Sequence, residues 1–142
     1  MKKLNFVIAL LALATVSFIA ASCGSGASKD DTPAKIEMAI WEQIKKENYD
    51  KAFDMWFGTL EIAPDQNTAE NKQVLREMFK KVESKVTEKG GIASVELVSE
   101  NIAEDGNTAK VTTKCTYNDG STDESNSKYV LVDGKWKTDM SK

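Results

Sequence analysis

"TAKVTTKCTY", residues 108–117, decides the fold. Ala109, Val111, Thr113, Cys115 and Tyr117 alternate with Thr108, Lys110, Thr112, Lys114 and Thr116, the period of a strand with one buried face. Upstream, Val95 and Leu97 begin the alternation and Asp105-Gly106 supplies a tight hairpin turn. Downstream, Asn118-Asp119-Gly120 turns into residues 121–132, and Asp133-Gly134 turns again into Lys135-Trp136-Lys137-Thr138. The product is a meander of antiparallel strands. Its third strand is polar and poorly alternating over 121–128, so this stretch is expected to face solvent or to form an edge where a partner strand can add.

Before the strands the period is helical. Thr32-Pro33 is a helix start, with threonine as cap and proline where its missing N–H costs nothing. Ile36, Ala39, Ile40 and Ile44 mark one face, with Trp41 at its flank. Asn48 is placed to cap a second helix whose Tyr49, Ala52, Phe53, Trp56 and Leu60 share a face, limited by Gly58 and Pro64. Asn67 with Glu70 has the spacing of a capping box for a longer third helix, striped by Val74, Leu75, Met78, Phe79, Val82 and Val86 and ended by Gly90-Gly91. Helices first and strands afterwards predict an α+β domain, with N-terminal helices packed on a curved antiparallel sheet.

The amino terminus reads differently. Lys2 and Lys3 precede an apolar run over 6–20, about fifteen residues and short of the roughly twenty that a spanning helix needs. The run closes on Ala20-Ala21-Ser22-Cys23, which resembles the lipobox of bacterial lipoproteins, with Ala20 where leucine is usual. A thiol supplies the nucleophile that takes a lipid, and small neighbours let the processing enzymes close over it. Residues 1–22 are therefore expected to be a removed signal peptide, Cys23 the lipidated residue, 23–31 a flexible tether and 32–142 one domain. At about 0.8 kcal/mol per buried methylene, two or three acyl chains would make attachment effectively permanent. The expected location is the bacterial cell envelope, facing the periplasm or the exterior.

Losing Lys2 and Lys3 with the leader leaves 17 basic against 22 acidic residues. Such a balance disfavours nucleic acid as a partner. The chain of 142 residues contains no histidine, the commonest general base and metal ligand. No cofactor and no metal site is predicted, and the acids Asp119, Asp123 and Glu124 lack the spacing of a calcium loop and read as solvated. With Cys23 acylated, Cys115 is unpaired and reads as a small buried hydrophobe.

"ENYDKAFDMW" (47–56), "EKGGIASVELVSE" (88–100), "AKVTTKCTYNDGS" (109–121) and "DGKWKTD" (133–139) resemble a family of bacterial lipoproteins of undefined function. Its members look like the cone-shaped, cystatin-like fold of nuclear transport factor 2, lumazine-binding-like proteins and ketosteroid isomerase. The resemblance spans 32–139 and implies a sheet curled around helices, with a cavity at the open end in some relatives. Side-chain alternation aims Val111, Cys115, Tyr117 and Trp136 at the helices and Tyr49, Phe53 and Trp56 back at them. These seven are the candidate pocket lining, and composition does not distinguish an apolar pocket from a filled core.

Catalytic relatives use a carboxylate or histidine base opposite tyrosine or a protonated acid. Asp54, the acid beside the aromatic cluster, falls off its face, so no catalytic residue carries over and no enzyme is predicted. Three readings follow. They are a membrane-tethered binding or accessory domain for a small apolar ligand or an envelope protein, a structural subunit of an envelope complex with an exposed Trp41 or Trp56, and an isomerase- or dehydratase-like enzyme with a buried carboxylate opposite Tyr49 or Tyr117.

Overall fold

The computed structural model describes residues 31–140. The leader, Cys23 and the tether up to residue 30 lie outside the described residues. Three helices come first: α1 (Pro33–Lys45), α2 (Tyr49–Thr59) and α3 (Ala69–Glu88). Four strands follow: β1 (Ile92–Ile102), β2 (Thr108–Tyr117), β3 (Thr122–Val132) and β4 (Lys135–Thr138). They form one antiparallel sheet in the order β1-β2-β3-β4, as the meander predicts.

Each helix starts where its local chemistry sends it, with two corrections. Thr32 caps α1 through its side chain, accepting from the Lys35 N–H at 3.3 Å, and Pro33 occupies the first turn. Asn48 holds the cap position of α2 but its side chain caps nothing; the amide donates instead to Gln43 Oε1 at 3.2 Å. The cap of α3 is Thr68, which accepts from the Asn71 N–H at 3.2 Å, one residue beyond the expected Asn67. Gly90 and Gly91 both take positive φ and return the chain from α3 to β1, which opens at Ile92, three residues before the expected Val95.

The expected alternation of β2 is present. Ala109, Val111, Thr113, Cys115 and Tyr117 are buried on the helix-facing side, with Thr112 also buried on the other side, where its hydroxyl donates to Asn126 Oδ1 at 2.8 Å. The core joins these residues to Ile36, Ile40 and Ile44 of α1, Ala52 and Phe53 of α2 and Phe79 and Val86 of α3. Each such valine, isoleucine or phenylalanine side chain contributes about 1.5–3 kcal/mol on burial. The stripes are narrower than the sequence suggests: Ala39 of α1 and Val74 and Met78 of α3 are exposed. α1 lies on β1 and β2, whereas α3 reaches the core chiefly through Phe79 and Val86, with Leu75 and Val82 half-buried against it and Val74 and Met78 beyond the seam.

Two register shifts in β1, between Ile92 and Ser94 and between Leu97 and Ser99, bend the outer strand. At the opposite side β4 covers only Tyr129–Val132 of β3. Asp139 N–H then donates to Lys128 C=O at 2.8 Å, and by the ladder's alternation the backbone groups of Thr122, Glu124 and Asn126 point to the uncovered side. The polar stretch of β3 is an edge over this length, in accord with its sequence.

Candidate functional site

The helix-facing side of the sheet changes character from β2 to β3. Register sets Cys115 opposite Asp123, Thr113 opposite Ser125, Val111 opposite Ser127 and Ala109 opposite Tyr129. Residues directly opposite share a face, so a polar row of Asp123, Ser125 and Ser127 runs beside the apolar row of β2. Above this row stands one flank of α1. Glu37 Oε1 accepts from Ser127 Oγ at 3.0 Å and from Trp41 Nε1 at 3.1 Å, and its Oε2 accepts from the Tyr129 hydroxyl at 2.5 Å. Glu37 and Trp41 are one helical turn apart, so the acid and its indole donor share a face.

A second acid sits at the other end of the row. Asp123 accepts from the Tyr117 hydroxyl at 2.9 Å and pairs with Lys85 Nζ of α3 at 2.6 Å, while Lys89 Nζ lies 5.0 Å from the centre of the Tyr117 ring. The lysine, and then the tyrosine hydroxyl, hold Asp123 below its ordinary carboxyl range. Asp123 is thus a paired, half-buried acid, which corrects its reading as a solvated one. Asp119 pairs with Lys89 at 3.9 Å and accepts from Ser121, and Glu124 is exposed. Among the described residues no group of three His, Cys, Asp or Glu side chains is arranged to hold a metal ion.

Burial pushes the Tyr129 hydroxyl far up from its ordinary value, and the charge of Glu37 adds to the effect. Tyr117 is pushed up in the same way by burial and by Asp123, and burial also raises the Cys115 thiol. Both tyrosines are therefore fixed as protonated donors, already committed to a carboxylate. A carboxylate opposite Tyr117 does exist, but an acid stabilised in its ionised form has little proton affinity to offer as a base. Between the two acids, the Thr113 hydroxyl is buried without a hydrogen-bond partner, and Ser125 opposite it is half-buried.

The seven residues proposed as pocket lining come together. Phe53, Val111, Cys115 and Tyr117 are buried in the core, and Tyr49, Trp56 and Trp136 are half-buried against it. Phe53 meets Phe79 edge-on at 5.6 Å between centroids, and Trp56 lies 5.7 Å from Phe79. The arrangement is that of packed rings. Two surface concavities of 480 and 410 Å³ lie along α3 and between α2 and α3, and of the seven only Phe53 lines either. Trp41 and Trp56 are half-buried, so neither forms an exposed aromatic patch. Asp54 is exposed and 4.0 Å from Lys72, off the aromatic face as expected. Sequence reasoning missed Glu37, Ser127 and Tyr129. Their signal was faint: an acid one turn before a tryptophan, and hydroxyls at every second position of β3.

No curated protein sequence matches the chain. Its fold is similar to that of a protein from Campylobacter jejuni described as an NTF2-like transpeptidase, with a TM-score of 0.58 and 14% identity over 76% of this chain and 97% of that one. The intermembrane-space region of the chloroplast protein ARC6 aligns over 76% of this chain and 93% of its own, at 12% identity and a TM-score of 0.37. The first likeness, with the helices and four-stranded sheet above, shows the nuclear-transport-factor-2-like cone fold. Residues 22–139 match the domain of unknown function DUF4878, and the chain belongs to that family.

Proposed function

We propose that the chain is a lipid-anchored domain of the bacterial cell envelope with a non-catalytic binding or accessory role. The observation that carries this reading is the position of Cys23, directly after an apolar run and small residues and nine residues before the Thr32 cap. The family match takes in Cys23 together with the folded part.

Binding rather than catalysis is supported by the state of the interior acids. Glu37 and Asp123 are each engaged by donors of the same chain, and no histidine exists to replace them. The half-buried Ser125 beside the unpartnered Thr113 hydroxyl is the place on the helix-facing side that would receive a small molecule. The uncovered edge of β3 is the place that would receive an envelope protein.

Cys23→Ser tests the anchor. The variant should leave the membrane fraction or stall in processing, and unchanged fractionation with unchanged mass would end the reading. Native mass spectrometry of the gently extracted chain tests the ligand: a discrete mass lost on denaturation identifies one, whereas a bare, folded chain directs the search to protein partners at the β3 edge.

A further inference from the structure

α1 buries Ile36, Ile40 and Ile44, and its two flanks face different ways. Glu37 and Trp41 lie on the side of β3, as their bonds to Ser127 and Tyr129 require. At about 100° per residue, Lys35 and Ala39 fall on the opposite flank, toward the free edge of β1, and both are exposed. Along that outer strand three large apolar side chains stand in water: Leu97, Val98 and Ile102 are 42%, 53% and 49% exposed. They sit on the side of the domain where the chain enters it. Glu100 of β1 accepts from the Ala34 N–H at 2.7 Å, which fixes the start of α1 between Val98 and Ile102. Cys23 lies nine residues before Thr32, a reach of roughly 30 Å at full extension.

We propose that this face, Leu97, Val98 and Ile102 with Ala39 and Lys35 beside them, rests on the surface of a lipid bilayer. The proposal builds on the anchor at Cys23. A short connection keeps the face at a high local concentration of lipid, so a contact too weak to hold a free protein is occupied once the chain is anchored. The apolar side chains enter the boundary between headgroups and acyl chains, and Lys35 lays its stem along the same face with its ammonium among the phosphates. A second copy pairing edge to edge fits less well. The register shift between Leu97 and Ser99 interrupts the ladder such pairing would extend, and Glu96 and Glu100 would bring four acids to one seam.

The test places an environment-sensitive nitrobenzoxadiazole dye on Val98→Cys in the full acylated chain, on vesicles of phosphatidylethanolamine and phosphatidylglycerol. Cys115 is buried, and an acylated Cys23 has no thiol to label. Glu124→Cys, exposed on β3, is the control, and Ile102→Cys a second reporter. The dye at 98 and 102 should brighten severalfold on vesicles and be quenched by brominated acyl chains, with the dye at 124 unchanged. No response at 98 and 102, or an equal response at 124, overturns the proposal. So does brightening that grows with protein concentration in the absence of lipid, the result expected of a second copy. An unacylated chain by intact mass removes the anchor and the docking with it, whereas an acylated chain with a silent dye at 98 removes the docking alone.

Discussion

The hydroxyl of Tyr129, on the third strand, donates to the carboxylate of Glu37, on the first helix, across ninety-two residues of chain. Tyr129 is 1% exposed and Glu37 half-buried, and their bond ties α1 to the third strand of the sheet. Tyr129→Phe keeps the ring and removes the donor. Hydrogen bonds to charged groups are worth about 1.5–3 kcal/mol, and a loss in that range is expected by denaturant unfolding with unchanged slope. Ser127 and Trp41 still serve the other carboxylate oxygen, so the variant should remain folded.

Buried tyrosines shape the alkaline limit of stability. Tyr129 and Tyr117 have folded-state values raised above the ordinary value of 10.0, first by burial and then by their carboxylate partners. With Cys115 and Tyr49, whose values burial also raises, they keep protons in the folded chain that the unfolded chain releases, so stability is fully present below about pH 9 and falls as the pH rises beyond it. Melting temperature measured from neutral pH into this range should decline steeply in the native chain. In Tyr129→Phe/Tyr117→Phe the decline should be shallower, with the share due to Cys115 and Tyr49 remaining.

The change of period at Gly90-Gly91 and the alternation of β2 made the fold legible, because local backbone preference and side-chain spacing act over a few residues. The interior acids were not legible for the opposite reason. Ser127 and Tyr129 become a site only because β3 lies opposite β2 in one register and because α1 sets Glu37 over them, and neither fact leaves a local trace. The same limit explains Val74 and Met78. They repeat at helical spacing, but burial depends on how much of α3 the core reaches, and it reaches Phe79 and Val86. At the start of α3 the expected cap was Asn67, and the observed one, Thr68, lies one residue on.

Rings in contact are not equally deep, and truncation should rank them. Phe53 is 3% exposed and touches Trp56, Phe57 and Phe79. Phe53→Ala should cost about 3–5 kcal/mol, the usual range for an aromatic removed from a core. Trp56 is half-buried, and Trp56→Ala should fall at or below the low end of that range. Chemical denaturation of both variants checks the order, and an equal loss would mean that the core closes over Trp56.

Cys115 is buried and its thiol is pushed up by that burial. The thiolate is the reactive species, so the folded chain should resist iodoacetamide at neutral pH and react fully in denaturant. Alkylation followed by mass reads both rates. Fast modification of the folded chain would place the thiol at an open surface rather than among Val111, Tyr117 and Val86.

Two glycines should respond to alanine with opposite signs. Gly91 holds φ at +95°, and a Cβ there would meet the Asn118 Nδ2 at 3.1 Å. Its C=O also accepts from the Asn118 N–H at 3.0 Å, so the backbone is held close and cannot swing to relieve the contact. Gly91→Ala combines a left-handed backbone with a tight approach and should destabilise by about 1–2 kcal/mol. Gly58 lies inside α2 with nothing within 4 Å of a Cβ. There alanine lowers the entropy of the unfolded chain and strains nothing, so Gly58→Ala should stabilise by about 0.5–1 kcal/mol. Thermal unfolding of the pair decides it, because opposite shifts in melting temperature require that the turn after α3, and not glycine content as such, sets the cost.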